Sequence, residues 1–382
     1  MLHFLGDLLV ITPRFVVGLA MVSCVGWGLV AVLARHRRRA GSVVIAVLAL
    51  LLTGSTAADA VNAHYQFLPR VNDVIGLPTW PTAPLSQVVG APERRSRAVQ
   101  GKAPTNPPTA RPAKAKAKPA PTFPRGAVVA LPIPGPVSGF GTHTSLVYLP
   151  PQYFTDSTRR FPVVYLVHGS PGAPVDWYRA AKAADAGYAA AQAGHPLILV
   201  APRASRFWTD DSECVDRPNE HIQTYLTVDV PAAVDAALRT VPQRSARAVA
   251  GNSAGGYCAL NLGLRHRDSF AGIVDLSGFA RPTYGSGLGR LFGPTSRLAQ
   301  TIYAQDPSQY AGHLPPSPHM SIWLDTGRED TTARRDVERM ERMLTARGQL
   351  VALKERPGGH DYGAWRPGLR DGLLWIAPRL TP

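Results

Sequence analysis

Apolar positions fall into three regimes along this chain. From Phe15 to Ala34 twenty residues pass without a charge; then comes Arg35-His36-Arg37-Arg38-Arg39, and a second apolar run extends from Val43 to about Thr53. An uncharged helix of that length crosses a hydrocarbon core of about 30 Å. The pattern therefore predicts two transmembrane helices, about 15–34 and 42–58, joined by a basic turn. An arginine cluster of this kind is held on the cytoplasmic side, which turns both ends of the hairpin and all that follows outward. A second reading takes the arginines and Val43 to Leu52 as the basic and apolar parts of a signal peptide, with Ala58-Asp59-Ala60 as its cleavage site. Both readings export the same domain.

From about Pro81 to Pro124 the apolar signal disappears. The segment is rich in Pro, Ala and Lys, as in Ala113-Lys114-Ala115-Lys116-Ala117-Lys118-Pro119, and has too few large apolar side chains to bury a core. It is expected to be an extended, mobile tether. The domain reading is thus a membrane region over 1–60, a linking segment over 61–125 and a folded domain over 126–382.

The third regime alternates short apolar runs with stretches of helical period. Strands are predicted at Ala127 to Ile133, Thr144 to Leu149, Pro162 to Val167, Leu197 to Ala201, Ala246 to Ala250, Gly272 to Leu276, Met320 to Leu324 and Leu350 to Leu353. Helices are predicted at Val175 to Gln192, Thr224 to Leu238, Ala254 to His266, Leu288 to Ala304, Thr331 to Arg347 and Gly363 to Pro378. Early strands without helices, then strand and helix in turn, describe an α/β domain with a mostly parallel sheet covered on both faces. Such a sheet gathers its strand carboxyl ends along one crevice.

Gly251-Asn252-Ser253-Ala254-Gly255 lies between a predicted strand and a predicted helix. A serine at the tip of such a turn is forced into a strained conformation, and flanking glycines leave room for it. Ser253 is the candidate nucleophile. A serine hydroxyl needs a base and a group to orient that base. Leu350 to Leu353 runs into Pro357-Gly358-Gly359-His360, which makes His360 the candidate base. The acid is sought after Met320 to Leu324, in Asp325-Thr326-Gly327-Arg328-Glu329-Asp330. Asp330 is favoured because Gly327 can break the strand ahead of it; Asp325 and Glu329 remain alternatives.

Acyl chemistry also needs two N–H groups aimed at the oxyanion of the tetrahedral intermediate. One is expected from Ala254, directly after the nucleophile, and the other from the His168-Gly169-Ser170-Pro171-Gly172 loop. Pro171 has no N–H, so Ser170 is the candidate, with His168 orienting the loop. Trp208 and Asp211, in a polar and aromatic loop, are candidate substrate contacts, and Arg281 to Pro316 could border the pocket.

Net charge is +15, with 15 Lys/Arg against 4 Asp/Glu in residues 1–125 and 26 against 22 thereafter. The excess sits in the arginine turn and the tether, where it suits anionic lipid or an anionic cell wall. No basic stripe interleaved with aromatics marks the folded part, so nucleic acid is not expected as a partner. Of three cysteines, Cys24 lies in a predicted span; Cys214 and Cys258 could pair in an oxidising compartment or stay as buried thiols. No spacing of Cys or His suggests a metal, and no cofactor is expected.

Residues from about 127 to 378 resemble the esterase branch of the α/β-hydrolases, which includes esterase D, enterochelin and feruloyl esterases and bacterial mycolyltransferases. The residues carrying the resemblance are Tyr148-Leu149-Pro150-Pro151, Leu166-Val167-His168-Gly169 with Trp177, Gly251 to Gly256, Leu276-Ser277-Gly278 and Gly359-His360-Asp361-Tyr362-Gly363-Ala364-Trp365. The resemblance implies a triad of Ser253, an acid near Gly327-x-x-Asp330 and His360; in the mycolyltransferases the acid is a glutamate later in the chain. It implies hydrolysis or transfer of an acyl group through a serine acyl-enzyme. With water as acceptor the chain would be an esterase, and with a sugar hydroxyl an acyltransferase. Export and tethering point to an ester or glycolipid of the cell envelope as substrate. A reading of another class, a non-catalytic envelope-binding module, is set against the presence of all three catalytic residue types.

Overall fold

The computed structural model describes residues 13–35, 39–68, 80–88, 123–283, 303–316 and 318–381. The central arginines of the basic turn, the lysine tract and nearly all of the predicted 288–304 helix lie outside the described residues.

Both apolar runs are helical, α1 over Pro13–Arg35 and α2 over Arg39–Tyr65. The two pack against each other through small and hydroxyl side chains. Ser23 Oγ donates to Thr53 Oγ1 at 2.7 Å, Trp27 Nε1 donates to the same oxygen at 3.0 Å, and a Cβ on Gly26 would stand 3.4 Å from that of Ala49. Pairing 23 with 53 and 26 with 49 makes them antiparallel, and close approach at small residues is how helices associate in lipid. One stretch, Val43–Tyr65, is long and apolar enough to cross a membrane, whereas the apolar part of α1 is shorter, Val16–Val32. Helix α2 continues past the expected end at residue 58.

The rest is a mixed α/β domain on an eight-stranded sheet. Its strands are β1 Ala127–Ile133, β2 His143–Leu149, β3 Val163–Val167, β4 Ile198–Ala201, β7 Arg247–Asn252, β8 Gly272–Leu276, β9 Ser321–Gly327 and β10 Leu350–Arg356, while β5 Asp216–Arg217 and β6 Glu220–His221 form a separate hairpin. Spatial order is β1-β2-β4-β3-β7-β8-β9-β10. Only β2 runs against its neighbours; β4, β3 and β7 to β10 pair in parallel. The β3 sequence Val-Val-Tyr-Leu-Val is buried at all five positions, as a central strand covered on both faces requires.

Helices α3 Pro174–Arg179, α4 Ala183–Gln192 and α8 Tyr362–Ile376 cover one face. There Trp177, Ala183, Leu369, Leu373 and Ile376 pack on Val164, Leu166 and Val274. On the other face α5 Val230–Ala237, α6 Ala254–Arg265 and α7 Thr331–Ala346 bring Val234, Leu262 and Leu344 onto Val163, Val249 and Ile322.

Three local expectations need correction. The single helix expected over 175–192 is broken, because Lys182 takes a left-handed backbone with φ 55°. The 224–238 helix is wound with a wider turn over Tyr225–Asp229 just before Pro231, which has no N–H to give to the ladder. The tether does not begin at Pro81: Val128 N donates to Pro81 O at 2.8 Å, Ala83 N donates to Val128 O at 3.1 Å, and Trp80 packs on Tyr178. Residues 80–88 thus cover the free edge of β1, satisfying groups that an edge strand leaves open.

At the other end of the sheet the buried Asp325 of β9 receives both guanidinium arms of Arg356 from β10, at 2.7 and 2.5 Å. Replacing Arg356 by Leu strands a carboxylate that is 1 % exposed. The variant is expected to lose about 3–5 kcal/mol of stability, read from urea unfolding of the α/β domain.

Candidate active site

Strand β7 delivers Ser253 to a tight turn at its carboxyl end. Its backbone stands at φ 56°, ψ −125°, a conformation that costs a non-glycine residue about 1–3 kcal/mol. The turn closes tightly enough that a Cβ on Gly251 would lie 1.7 Å from Gly255 O, and one on Gly255 would lie 2.1 Å from Val167 O. Ser253 N donates to Leu276 O at 3.0 Å, which fixes the turn to the end of β8.

His360 follows β10 and meets the serine across 107 residues. Its Nε2 accepts from Ser253 Oγ at 2.8 Å, and its Nδ1–H donates to Asp330 Oδ2 at 2.6 Å. A carboxylate only accepts, so the proton sits on Nδ1 and leaves Nε2 free to receive the serine's. The ring lies stacked on Phe279 and edge-on to Trp365. Asp330 caps α7, its Oδ1 accepting from Ala333 N at 3.3 Å, and is buried. The two other candidate acids are engaged elsewhere. Asp325 is bound by Arg356, and Glu329 Oε2 accepts from Gly358 N at 2.7 Å, holding the loop that carries His360.

Ser253, His360 and Ser170 share a pocket of about 600 Å³, with Trp208 on its wall. Ala254 opens α6, and its N–H and that of Ser170 take no backbone carbonyl among the described residues. His168 is fully enclosed: Nδ1–H donates to Gly169 O at 2.9 Å and Nε2 accepts from Ala204 N at 3.1 Å. Burial pushes its pKa down to about 4, so a neutral ring ties the Ser170 loop to the chain after β4. Asp211 is not on the main pocket. It faces a small neighbouring cavity and accepts from Glu213 N at 3.1 Å, closing its own turn. Cys214 and Cys258 are joined in a disulfide that ties this turn to α6. Of Arg281 to Pro316, residues 284–302 lie outside the described residues, and none of the described ones is on the pocket wall.

Several wall residues escaped sequence reasoning. Asp176 lines the pocket, where its Oδ2 accepts from Ala173 N at 2.7 Å and burial raises its carboxyl above the ordinary range. Tyr362 and Asn252 line it too, as do Val61, Tyr65 and Phe67 from the end of the second apolar helix. The aromatic pair just after a long apolar run was the only available signal for these last three. Among the described residues no cluster of His, Cys, Asp or Glu is placed to hold a metal ion.

The family model named Esterase matches residues 141–376. An acetyl esterase of Caldicellulosiruptor saccharolyticus is 23% identical over 56% of this chain and 82% of its own length. An uncharacterized protein of Corynebacterium glutamicum is 25% identical over 66% of this chain, and the match spans 62% of that protein. Among solved structures, a ferulic acid esterase superposes with a TM-score of 0.57 at 20% identity, covering 67% of this chain and 99% of its own. The Staphylococcus aureus fluorophosphonate-binding serine hydrolase FphF gives 0.54 at 20% identity, over 66% and 98%. MPT51 of Mycobacterium tuberculosis gives 0.51 at 18%, over 66% and 98%.

Beneath the turn Asp275 is wholly buried, its Oδ1 accepting from Gly278 N at 2.7 Å, and desolvation raises its pKa from 3.8 to about 7. The folded state therefore holds a proton there that the unfolded chain has lost. Stability from this group is present below pH 3.8 and is lost as pH rises through about 7. Asp275→Asn should flatten the fall in Tm across that window, measured by thermal unfolding at a series of pH values.

Proposed function

The chain belongs to the Esterase family, and from that premise we propose that it is an extracytoplasmic serine esterase, anchored in the cell membrane, that works through an acyl-enzyme on Ser253. The coarser statement needs no proposal: this is an enzyme of ester hydrolysis or acyl transfer. One observation carries the finer reading, the unbroken relay from Asp330 through His360 to Ser253 at 2.6 and 2.8 Å on the wall of a pocket.

In the proposed reaction Ser253 Oγ bonds to the ester carbonyl carbon while its proton passes to His360 Nε2. The carbonyl oxygen becomes an oxyanion, received by the N–H groups of Ala254 and Ser170. As the tetrahedral intermediate collapses, His360 returns the proton to the departing alkoxide, leaving acyl-Ser253. Water, deprotonated by the same imidazole, then releases the acid. Asp330 stays ionised, holding the ring in the tautomer that can accept and stabilising it when charged. Trp208, 63% exposed on the pocket wall, is available to contact the bound ester. An alcohol in place of water would make the same site an acyltransferase, because the two reactions diverge only at the acyl-enzyme.

The anchoring half of the proposal rests on the helices. Most exposed large hydrophobic side chains among the described residues lie on α1 and α2, including Val25, Leu29, Val43, Leu50 and Leu51. We read α1 and α2 as a hairpin with its arginine turn on the cytoplasmic side, residues 61–125 as the link and 126–382 as the catalytic domain on the far side. Anionic lipid or wall polymer is the counterpart of the basic link, and an ester or glycolipid of the envelope the expected substrate.

A fluorophosphonate probe should label the wild type at Ser253 and leave Ser253→Ala unmarked. Ester turnover of that variant should fall by about a millionfold, and that of Asp330→Asn by about ten-thousandfold. Labelling of Ser253→Ala at another residue, with turnover kept, would refute the assignment. Products separate the two acceptors: free acid from an envelope glycolipid extract supports hydrolysis, and an acylated sugar supports transfer.

A further inference from the structure

Helix α2 does more than reach the catalytic domain, because its last turns are part of the pocket that holds Ser253. Val61, Tyr65 and Phe67 stand on the wall of that pocket with Ser253, His360, Tyr362 and Trp365. This is a built contact. Asn62 binds the backbone of Leu68 twice, Nδ2 donating to Leu68 O at 2.9 Å and Oδ1 accepting from Leu68 N at 2.8 Å. Between them Gln66 turns the chain with φ 55° and gives its N–H to Asn62 O. The turn is pinned to the domain from the other side: the Arg366 guanidinium donates to Gln66 O and to Ala180 O, and Phe67 packs on Tyr362 with ring centres 4.8 Å apart. Tyr362 and Arg366 belong to α8, which begins two residues after His360.

The chemistry of this wall is hydrocarbon. Val61 and Tyr65 are 59% and 42% exposed, and Trp208, also on the pocket wall, is 63% exposed, so exposed apolar side chains line the pocket. A helix from Val43 to Tyr65 rises about 34 Å, enough to carry its end through a hydrocarbon core of about 30 Å to the headgroup level. In the topology proposed above, the mouth of the pocket opens at the membrane surface and its wall continues the apolar surface of the helix.

We infer that the end of the membrane helix, through Val61, Tyr65 and Phe67, forms the acyl-binding wall of the active site, so that the enzyme takes a long-chain ester directly from the adjoining leaflet. The inference rests on the proposed serine esterase reading and names its substrate class: an amphiphile whose hydrocarbon chain passes between the helix end and Trp208 while its ester carbonyl meets Ser253. A soluble short-chain ester uses only the inner part of the pocket and touches less of this wall.

The test uses the full chain in phospholipid nanodiscs, with p-nitrophenyl palmitate and p-nitrophenyl butyrate as probes. Tyr65→Ser and Phe67→Ser should each lower the palmitate-to-butyrate ratio of kcat/KM by about tenfold, whereas Leu50→Ala, on the same helix but off the pocket, should keep the wild-type ratio. An unchanged ratio in both variants, or equal losses on both esters, would overturn the inference. Fluorophosphonate labelling of Ser253 is followed in every variant: a wild type that does not label sinks the serine esterase reading itself, and a variant that does not label is misfolded. In that last case a second measurement decides. Ser253→Ala in vesicles containing a phospholipid with a diazirine on its acyl chain should crosslink within residues 61–67 on illumination, and crosslinks confined to the membrane-buried parts of α1 and α2 would reject the wall.

Discussion

The site depends on one steric constraint, the closeness with which α6 springs from β7. Without Cβ atoms at Gly251 and Gly255 the helix can start against the carbonyls of β3, and only then does Ser253 project from the sheet instead of lying along it. The unfavourable backbone at Ser253 persists because several other contacts fix it at once: the bond from Ser253 N to Leu276 O and the helix start itself. Strain placed this way is useful. It leaves the hydroxyl in one position, ready for a partner that arrives from far along the chain.

That partner arrives on the parallel order of the strands. Strands β8, β9 and β10 stand side by side after β7, so the loops leaving their carboxyl ends approach Ser253 from one flank. Carboxylates then fasten β9, β10 and the loops that follow them. Asp325 clamps β10 through Arg356, Glu329 holds Gly358, and Asp361 caps α8 by accepting from Gly363 N at 2.7 Å. With those three fixed, Asp330 is the acid left to face the imidazole. The apolar rings of Phe279 and Trp365 complete the setting by confining the ring in its plane.

Much of this could be read from the chain, and the part that could not has a physical reason. Glycines beside Ser253 and His360 are short-range signals of turns, and strand runs such as Ala127–Ile133 and Gly272–Leu276 came out with their observed ends because apolar side chains cover both faces or close the edge. The choice among Asp325, Glu329 and Asp330 was open, since all three fall within six residues and differ only in what they meet 29 to 31 residues later. Helix breaks at Lys182 and before Pro231 reflect tertiary packing that overrode periodic pattern. The pocket wall from Val61 to Phe67 was invisible for the same reason: nothing in an apolar helix announces which remote serine its last turn will touch.

The bond between Cys214 and Cys258 joins the loop bearing Trp208 to the helix that begins after Ser253. Thiols are kept reduced in a cytoplasm, so in the topology proposed above this closure can form only after the domain has been translocated. In that topology a chain retained inside would carry every reactive group yet lack the covalent brace on the Trp208 side.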